Sequence, residues 1–162
     1  TAVIGKESVM DSAQDSFMSS TFWTERIGPA AAVKTLEEME KIKSWEIITN
    51  IGKKIRKKWE IIGKRNNINI QISGIPALSS FAINSNDWLK YKTFITQEMI
   101  SSNILASNAI FVCTKHNKKI LDVYFNKLDE IFNKIDKFEN KTLDIDKFLK
   151  TDICQVGFKR LN

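Results

Sequence analysis

Residues 66–83, NNINIQISGIPALSSFAI, decide the fold class of this 162-residue chain. Isoleucines occupy every second position from 68 to 72 and alternate with polar residues, which is the period of a half-buried strand. Gly74 and Pro76 then mark a turn before a second extended run, Leu78 to Ile83. The stretch therefore predicts a pair of antiparallel strands.

Helical periodicity precedes this pair of strands. Gly28 and Pro29 stand where an N-cap and a first helical position belong. Apolar residues then recur at spacings of three and four from residue 33 to residue 62. The pattern predicts one long helix or two in tandem, with Ser44 and Gly52 as the weak points.

Helices also follow the two strands. Asp87 can cap a helix that ends near Ser102 and directs four apolar residues inward, namely Trp88, Phe94, Ile95 and Met99. The apolar run Ala109 to Cys113 predicts a third strand. Asn117 can cap another helix, whose apolar stripe consists of Leu121, Tyr124, Leu128, Ile131 and Ile135. With a short helix at 144–150, the chain is predicted to be α+β, a small antiparallel sheet covered by long helices.

The chain starts inside an apolar, strand-like stretch, Thr1 to Ile4, without a methionine. A short helix at 7–15 and a loop at 16–24 are expected to follow. Because a lone strand has nothing to pair with, we expect that an N-terminal portion of the protein is missing. A processed natural terminus or a removed tag is the alternative.

Composition narrows the class of protein. No apolar run approaches the roughly 20 residues of a membrane-spanning helix, so we expect a soluble, cytoplasmic protein that does not enter a membrane. Cys113 and Cys154 are not closely spaced, so neither a metal site nor a disulfide framework is indicated. The net charge of +6 comes from interspersed acids and bases, which makes nucleic acid an unlikely partner.

Three features are candidates for chemistry. The single histidine, His116, has no acidic residue at catalytic spacing, so a helix-start or turn role is favoured over catalysis. The basic cluster Lys53 to Lys58 is more typical of a solvated helix face than of a nucleic-acid contact. Hydroxyl residues before the helix at Pro29 form a third candidate, because helix N-termini attract anions. Thr24 is placed there to hold a phosphate.

Five blocks of the sequence, in order, resemble class III aminotransferases. They are TAVIGKESVM (1–10), SSTFWTERIGPAAA (19–32), IPAL (75–78), FITQEM (94–99) and GFKRLN (157–162). Glutamate-1-semialdehyde aminomutase-like members look most similar. The resemblance implies the C-terminal segment of a fold-type I enzyme that uses pyridoxal 5'-phosphate (PLP).

The resemblance also implies roles for single residues. The family's Schiff-base lysine lies before the opening strand, so Lys6, which follows it, does not match, and the chain alone is expected to be inactive. Thr24, five residues before Pro29, matches the threonine that binds the PLP phosphate of the neighbouring subunit. Thr21 and Ser20 are lesser cofactor candidates, and Arg26 is the candidate for an acidic substrate. No catalytic residue and no metal ligand is assigned within the chain.

The resemblance implies an organisation as well. Residues 1–28 would end the large PLP-binding domain, 29–67 would form an interdomain helix region, and 68–162 would form the small C-terminal domain. The parent enzyme would be a homodimer that moves an amino group on a small amino-acid or oxo substrate. Two alternatives stay open: a basic helical interaction module that binds an acidic partner or nucleic acid, and a remnant that dimerises with a full-length partner.

Overall fold

The computed structural model describes residues 3–16, 21–22, 25–155 and 157. The chain divides into two units, Thr1–Ile42 and Lys43–Asn162. The first unit contains only short or solvent-exposed helices, and the second contains the sheet and the hydrophobic core.

The first unit has a short helix, α1 (Glu7–Met10), which continues as a 3-10 turn at Asp11–Ala13, and a longer helix, α2 (Ile27–Ile42). None of its described residues is buried. The predicted helix at 7–15 is therefore present but shorter. The predicted opening strand is absent from its described part, since Val3 and Ile4 form no strand and are 73% and 91% exposed. For these two residues the strand prediction is wrong, because they have no neighbouring strand to pair with. Thr1 and Ala2 lie outside the described residues.

The long periodic stretch forms two helices, which confirms the tandem alternative. Lys43 adopts a left-handed conformation with φ of 49°, and α3 (Ser44–Arg65) begins at the next residue. The helix α2 starts at Ile27, slightly before the predicted Pro29. Gly52, the other predicted weak point, lies inside α3 and does not interrupt the helix. Glycine is needed there because the backbone of Pro76 lies too close for a Cβ atom.

The two predicted strands are present as a hairpin. Strand β1 (Ile70–Ile75) pairs antiparallel with β2 (Leu78–Ile83), and Ile75 stands opposite Leu78 across a two-residue turn. Gly74 has φ of 80°, and a Cβ atom there would lie 2.3 Å from the carbonyl oxygen of Leu78. Glycine at this position therefore makes the tight turn possible.

The remaining elements follow the predicted order. They are α4 (Trp88–Ser101), β3 (Ala109–Phe111), α5 (Lys118–Glu139) and a single 3-10 turn (Ile145–Lys147). Strand β3 extends the sheet antiparallel to β2, so the strand order is β1-β2-β3. The predicted helix at 144–150 is reduced to that one turn, because Phe148 and Leu149 pack against the core and Gln97 binds the backbone of Phe148 and Lys150.

The two predicted helix caps differ. The side chain of Asn117 accepts a hydrogen bond from the backbone N–H of Ile120 at 3.1 Å, as the sequence predicts for α5. Asp87 occupies the N-cap position of α4 but makes no side-chain capping bond. Its φ and ψ of −90° and 16° depart from the extended conformation that a capping side chain requires, which corrects the prediction.

The core lies between one face of the sheet and the helices α3, α4 and α5. Phe81 of β2 stands at its centre, with ring centroids 4.9 Å from Trp59 of α3 and 5.7 Å from Phe132 of α5. All five residues of the stripe predicted for α5 are buried. Of the four inward residues predicted for α4, Trp88 alone is only partly buried.

The opposite face of the sheet carries a row of exposed apolar side chains. Ile75, Leu78 and Phe111 stand side by side across the three strands and are 66%, 44% and 76% exposed. The fold is thus α+β, with long helices on one face of a small antiparallel sheet, as the sequence predicts. The division of a parent enzyme at residues 28 and 67 stays a prediction.

Candidate functional site

The cofactor residues predicted from the sequence precede α2. Thr24 and Ser20 lie outside the described residues. Thr21 lies in a turn and is exposed, and Arg26 is exposed immediately before the helix. The backbone carbonyl of Arg26 accepts the hydrogen bond of Ala30 N–H at 3.0 Å, so Arg26 occupies the position that flanks the first turn.

The N-terminus of α2 is compatible with an anion such as the PLP phosphate. The helix has 16 residues, and its first turn contains no acidic residue that would oppose a negative charge. Its first N–H groups carry partial positive charge, and Arg26 lies beside them, next to the opposite charge of Glu25. The residues present therefore fit a phosphate group or a substrate carboxylate.

Lys6 is placed as the structural cap of α1. Its carbonyl oxygen accepts hydrogen bonds from the N–H groups of Val9 and Met10 at 3.0 and 2.9 Å, and the residue is exposed. The exclusion of Lys6 from the catalytic site stays a prediction.

The second unit contains a buried, hydrogen-bonded aromatic pair that the periodicity of the sequence could not predict. The indole N–H of Trp59 donates to the hydroxyl of Tyr124 at 2.9 Å, which joins α3 to α5. Burial raises the pKa of Tyr124, and the hydrogen bond from Trp59 opposes that rise. The phenol is therefore neutral at physiological pH, and the pair holds the core together.

Glu98 of α4 is the most shielded carboxylate with cationic partners among the described ion pairs. It lies 3.9 Å from Lys127 and 3.3 Å from Lys134, both of α5. Burial favours the neutral acid, but a hydrogen bond from Gln97 and the charges of both lysines outweigh it and lower the pKa of Glu98. All three residues serve to fix α4 against α5, so we interpret the cluster as structural.

His116 lies in the turn before α5, in agreement with the predicted turn role. Its Nδ1 atom accepts a hydrogen bond from the backbone N–H of Cys113 at 3.3 Å. Within the described ranges, no group of three metal-ligating side chains could hold a metal ion. The basic cluster also has the predicted geometry, since Ile55 is buried within it while Lys53, Lys54 and Lys57 face solvent.

A groove of about 720 Å³ lies beside β3. Its walls are the loop at 103–106, the strand itself and the first turns of α5. The lining is mainly apolar, and Leu105, Ile120 and Val123 are 97%, 49% and 56% exposed. No pattern in the sequence predicts this groove, because an apolar run is the same in sequence whether the folded chain covers it or leaves it exposed.

No family model matches the chain. It is similar to the 3-aminobutyryl-CoA aminotransferase of Cloacimonas acidaminovorans (strain Evry), with 25% identity over 126 residues that cover 74% of this chain and 30% of that protein. Its fold is similar to that of Sphingopyxis sp. MTA144 FumI in the PLP internal aldimine form, with a TM-score of 0.72 and 17% identity over 90% of this chain and 36% of FumI.

The chain thus spans about a third of the length of each protein it matches. The predicted fold is shared with part of a PLP enzyme. The sequence similarity supports the predicted relation to aminotransferases, and the structural similarity shows the shared fold. Neither comparison bears on the closer resemblance to glutamate-1-semialdehyde aminomutase. None of the helices in the described ranges combines the length and apolarity of a membrane span.

Proposed function

We propose that these 162 residues form the C-terminal part of a PLP-dependent aminotransferase that moves an amino group on a small amino-acid or oxo substrate. The sequence similarity to an aminotransferase over 74% of the chain is the observation that carries the proposal. The fold shared with part of a PLP enzyme supports it. The parent enzyme is a homodimer in this proposal, and the chain spans about a third of the length of the two similar proteins.

The start of α2 supplies the cofactor contact in this proposal. Thr24 binds the PLP phosphate across the dimer, and Thr21 and Ser20 contribute to the same anion site. The acid-free first turn of α2 supports that assignment. When bound, PLP supplies an electron-withdrawing ring that stabilises negative charge on the substrate carbon. Arg26 orients an acidic substrate by pairing with its carboxylate.

The position of the catalytic lysine tests this proposal. The reading frame that contains these residues is extended upstream, and the longer protein is reduced with borohydride in the presence of PLP. We expect the reduced cofactor on a lysine outside residues 1–162, and none on the 162-residue chain treated in parallel. Labelling of Lys6, or of any other lysine within the chain, would overturn the assignment.

A matched pair of variants tests the phosphate contact in the longer protein. Thr24→Val removes a hydroxyl from the proposed anion site and is expected to raise the PLP dissociation constant about tenfold, the equivalent of about 1.4 kcal/mol. Thr35→Val is the control, because its hydroxyl donates to the carbonyl oxygen of Ala31 on an exposed face of α2. Equal PLP affinity in both variants contradicts the role of Thr24.

The products of the reaction distinguish an aminotransferase from an aminomutase. We propose an aminomutase-like or an aminotransferase activity, and 3-aminobutyryl-CoA and glutamate-1-semialdehyde are the two substrates to compare. A transferase gives an amino acid derived from an added oxo acid, whereas a mutase gives its product without one. Turnover of neither substrate, with PLP bound, would confine the proposal to other amino or oxo compounds.

A further inference from the structure

We propose that the free edge of β3 and the groove beside it bind an extended apolar segment from the part of the parent enzyme that lies beyond these 162 residues. This inference rests on the proposed function, since it requires a longer chain. It assigns a partner to the free edge of β3, and it predicts where the rest of the enzyme joins this fold.

The backbone of β3 is available for a further strand. Ladder hydrogen bonds alternate along an antiparallel strand. Val112 N–H bonds the carbonyl of Ala77, and Phe81 N–H bonds that of Asn108, so positions 108, 110 and 112 face β2. Ala109 and Phe111 therefore direct their N–H and C=O groups away from β2, toward the free edge.

Nothing in β3 protects that edge. Natural sheets guard their edges with charged residues, proline, bulges or a covering element, whereas β3 is Ala-Ile-Phe. The opposite edge differs, because Arg56 donates a hydrogen bond to the carbonyl of Gly74 in β1 at 2.8 Å. An unguarded apolar edge is typical of a strand that is paired in the complete protein.

The groove has the chemistry of a protein interior. Leu105 is 97% exposed and Phe111 76%, while Ile120 and Val123 of α5 leave about half of their surfaces open. Contiguous apolar surface of this kind marks an interaction site. The volume of about 720 Å³ accommodates several side chains of one inserted segment.

An inserted segment fits this site better than a second copy of the chain does. An extended segment pairs with the edge and sends alternate side chains into the groove. The proteins similar to this chain are about three times as long, which leaves ample chain to supply it.

Amide hydrogen exchange in the longer protein and in the 162-residue chain tests the inference. The amides of Ala109 and Phe111 are expected to exchange at least tenfold more slowly in the longer protein. The amide of Ile110, which faces β2, should be protected in both and serves as the internal reference. Equal exchange of Ala109 and Phe111 in the two proteins would overturn the inference.

A pair of substitutions provides an independent readout. Val123→Lys places a charge in the groove, so it should lower the melting temperature of the longer protein and leave that of the 162-residue chain unchanged. Asn133→Lys adds the same charge at an exposed position of α5 outside the groove and should change neither. A Val123→Lys variant that is as stable as Asn133→Lys in the longer protein contradicts the inference.

The outcomes separate this inference from the proposed function. If the longer protein binds PLP but leaves β3 unprotected, the inference fails and the function stands. If β3 is protected and no PLP binds, the function fails and the docking surface stands. A 162-residue chain that dimerises and protects its own Ala109 and Phe111 amides would assign the edge to a second copy and overturn the inference.

Discussion

Gly52 shows how one residue sets the distance between two elements. A Cβ atom at this position would lie 1.9 Å from the carbonyl oxygen of Pro76, in the turn of the hairpin. Gly52→Ala must therefore push α3 and the hairpin apart, and we expect it to lower the free energy of unfolding by more than about 2 kcal/mol. Urea denaturation followed by circular dichroism measures the loss.

Gly28→Ala is the control for this substitution. Gly28 is also helical, but a Cβ atom there meets nothing within 4 Å. Alanine is the better helix former by up to about 1 kcal/mol, so this variant should be at least as stable as the parent chain. Equal urea midpoints for Gly52→Ala and Gly28→Ala would show that the hairpin turn can shift to accommodate a methyl group on α3.

The two tyrosines of the chain make a second prediction at this scale. Tyr91 and Tyr124 are 2% and 7% exposed, and burial raises the pKa of each above its ordinary value of 10.0. Their neutral forms thus stabilise the fold fully below the unfolded pKa, and that stability is lost as the pH rises above about 10. In an alkaline titration, tyrosinate absorbance should appear only as circular dichroism reports unfolding. A tyrosine that ionises near its ordinary pKa in the folded chain would contradict the burial.

Among the elements, α4 and α5 offer a matched test of capping. Asn117 accepts a hydrogen bond from Ile120 N–H, whereas Asp87 makes no such bond. Asn117→Ala is therefore expected to destabilise the fold by about 1 kcal/mol, and Asp87→Ala by less than about 0.5 kcal/mol. Thermal unfolding of both variants checks the difference. A larger loss from Asp87→Ala would mean that its weak pairing with Lys90 matters more than the cap.

The same two helices show what sequence could and could not predict. Residue type and periodicity located both helices, and the buried stripe of α5 follows directly from its spacing. Whether Asp87 caps depends on its backbone dihedrals, which neighbouring packing determines. Likewise, the apolar residues of β3 predicted a strand. Its position at the edge of the sheet depends on the strand order, which is determined by contacts between distant parts of the chain.

For the whole molecule, sequence predicted the candidate site through family resemblance rather than through residue chemistry. Hydroxyl residues before α2 are common helix-start residues, so they could not identify a phosphate site by themselves. Thr24 gained its proposed role from its spacing to Pro29 within the resembling block. The groove beside β3 had no such signal, because it is built from three segments that meet only in the folded chain.

The distribution of buried residues leads to the last prediction. All the buried hydrophobic residues of the core lie between Ile55 and Ile145, and none of the described residues of the first unit is buried. The cooperative fold therefore belongs to residues 43–162. Limited trypsin treatment should cut first at exposed lysines of α2 such as Lys34 and Lys41, leaving a resistant product that mass spectrometry places near Lys43 at its N-terminus.

Deleting residues 1–42 tests the same prediction by stability. Because the deletion removes no buried side chain among the described residues, the melting temperature should change by less than about 4 °C, which corresponds to about 1 kcal/mol. A larger fall would show that the first unit stabilises the core despite its exposure. An unchanged value would show that residues 43–162 fold without the first unit.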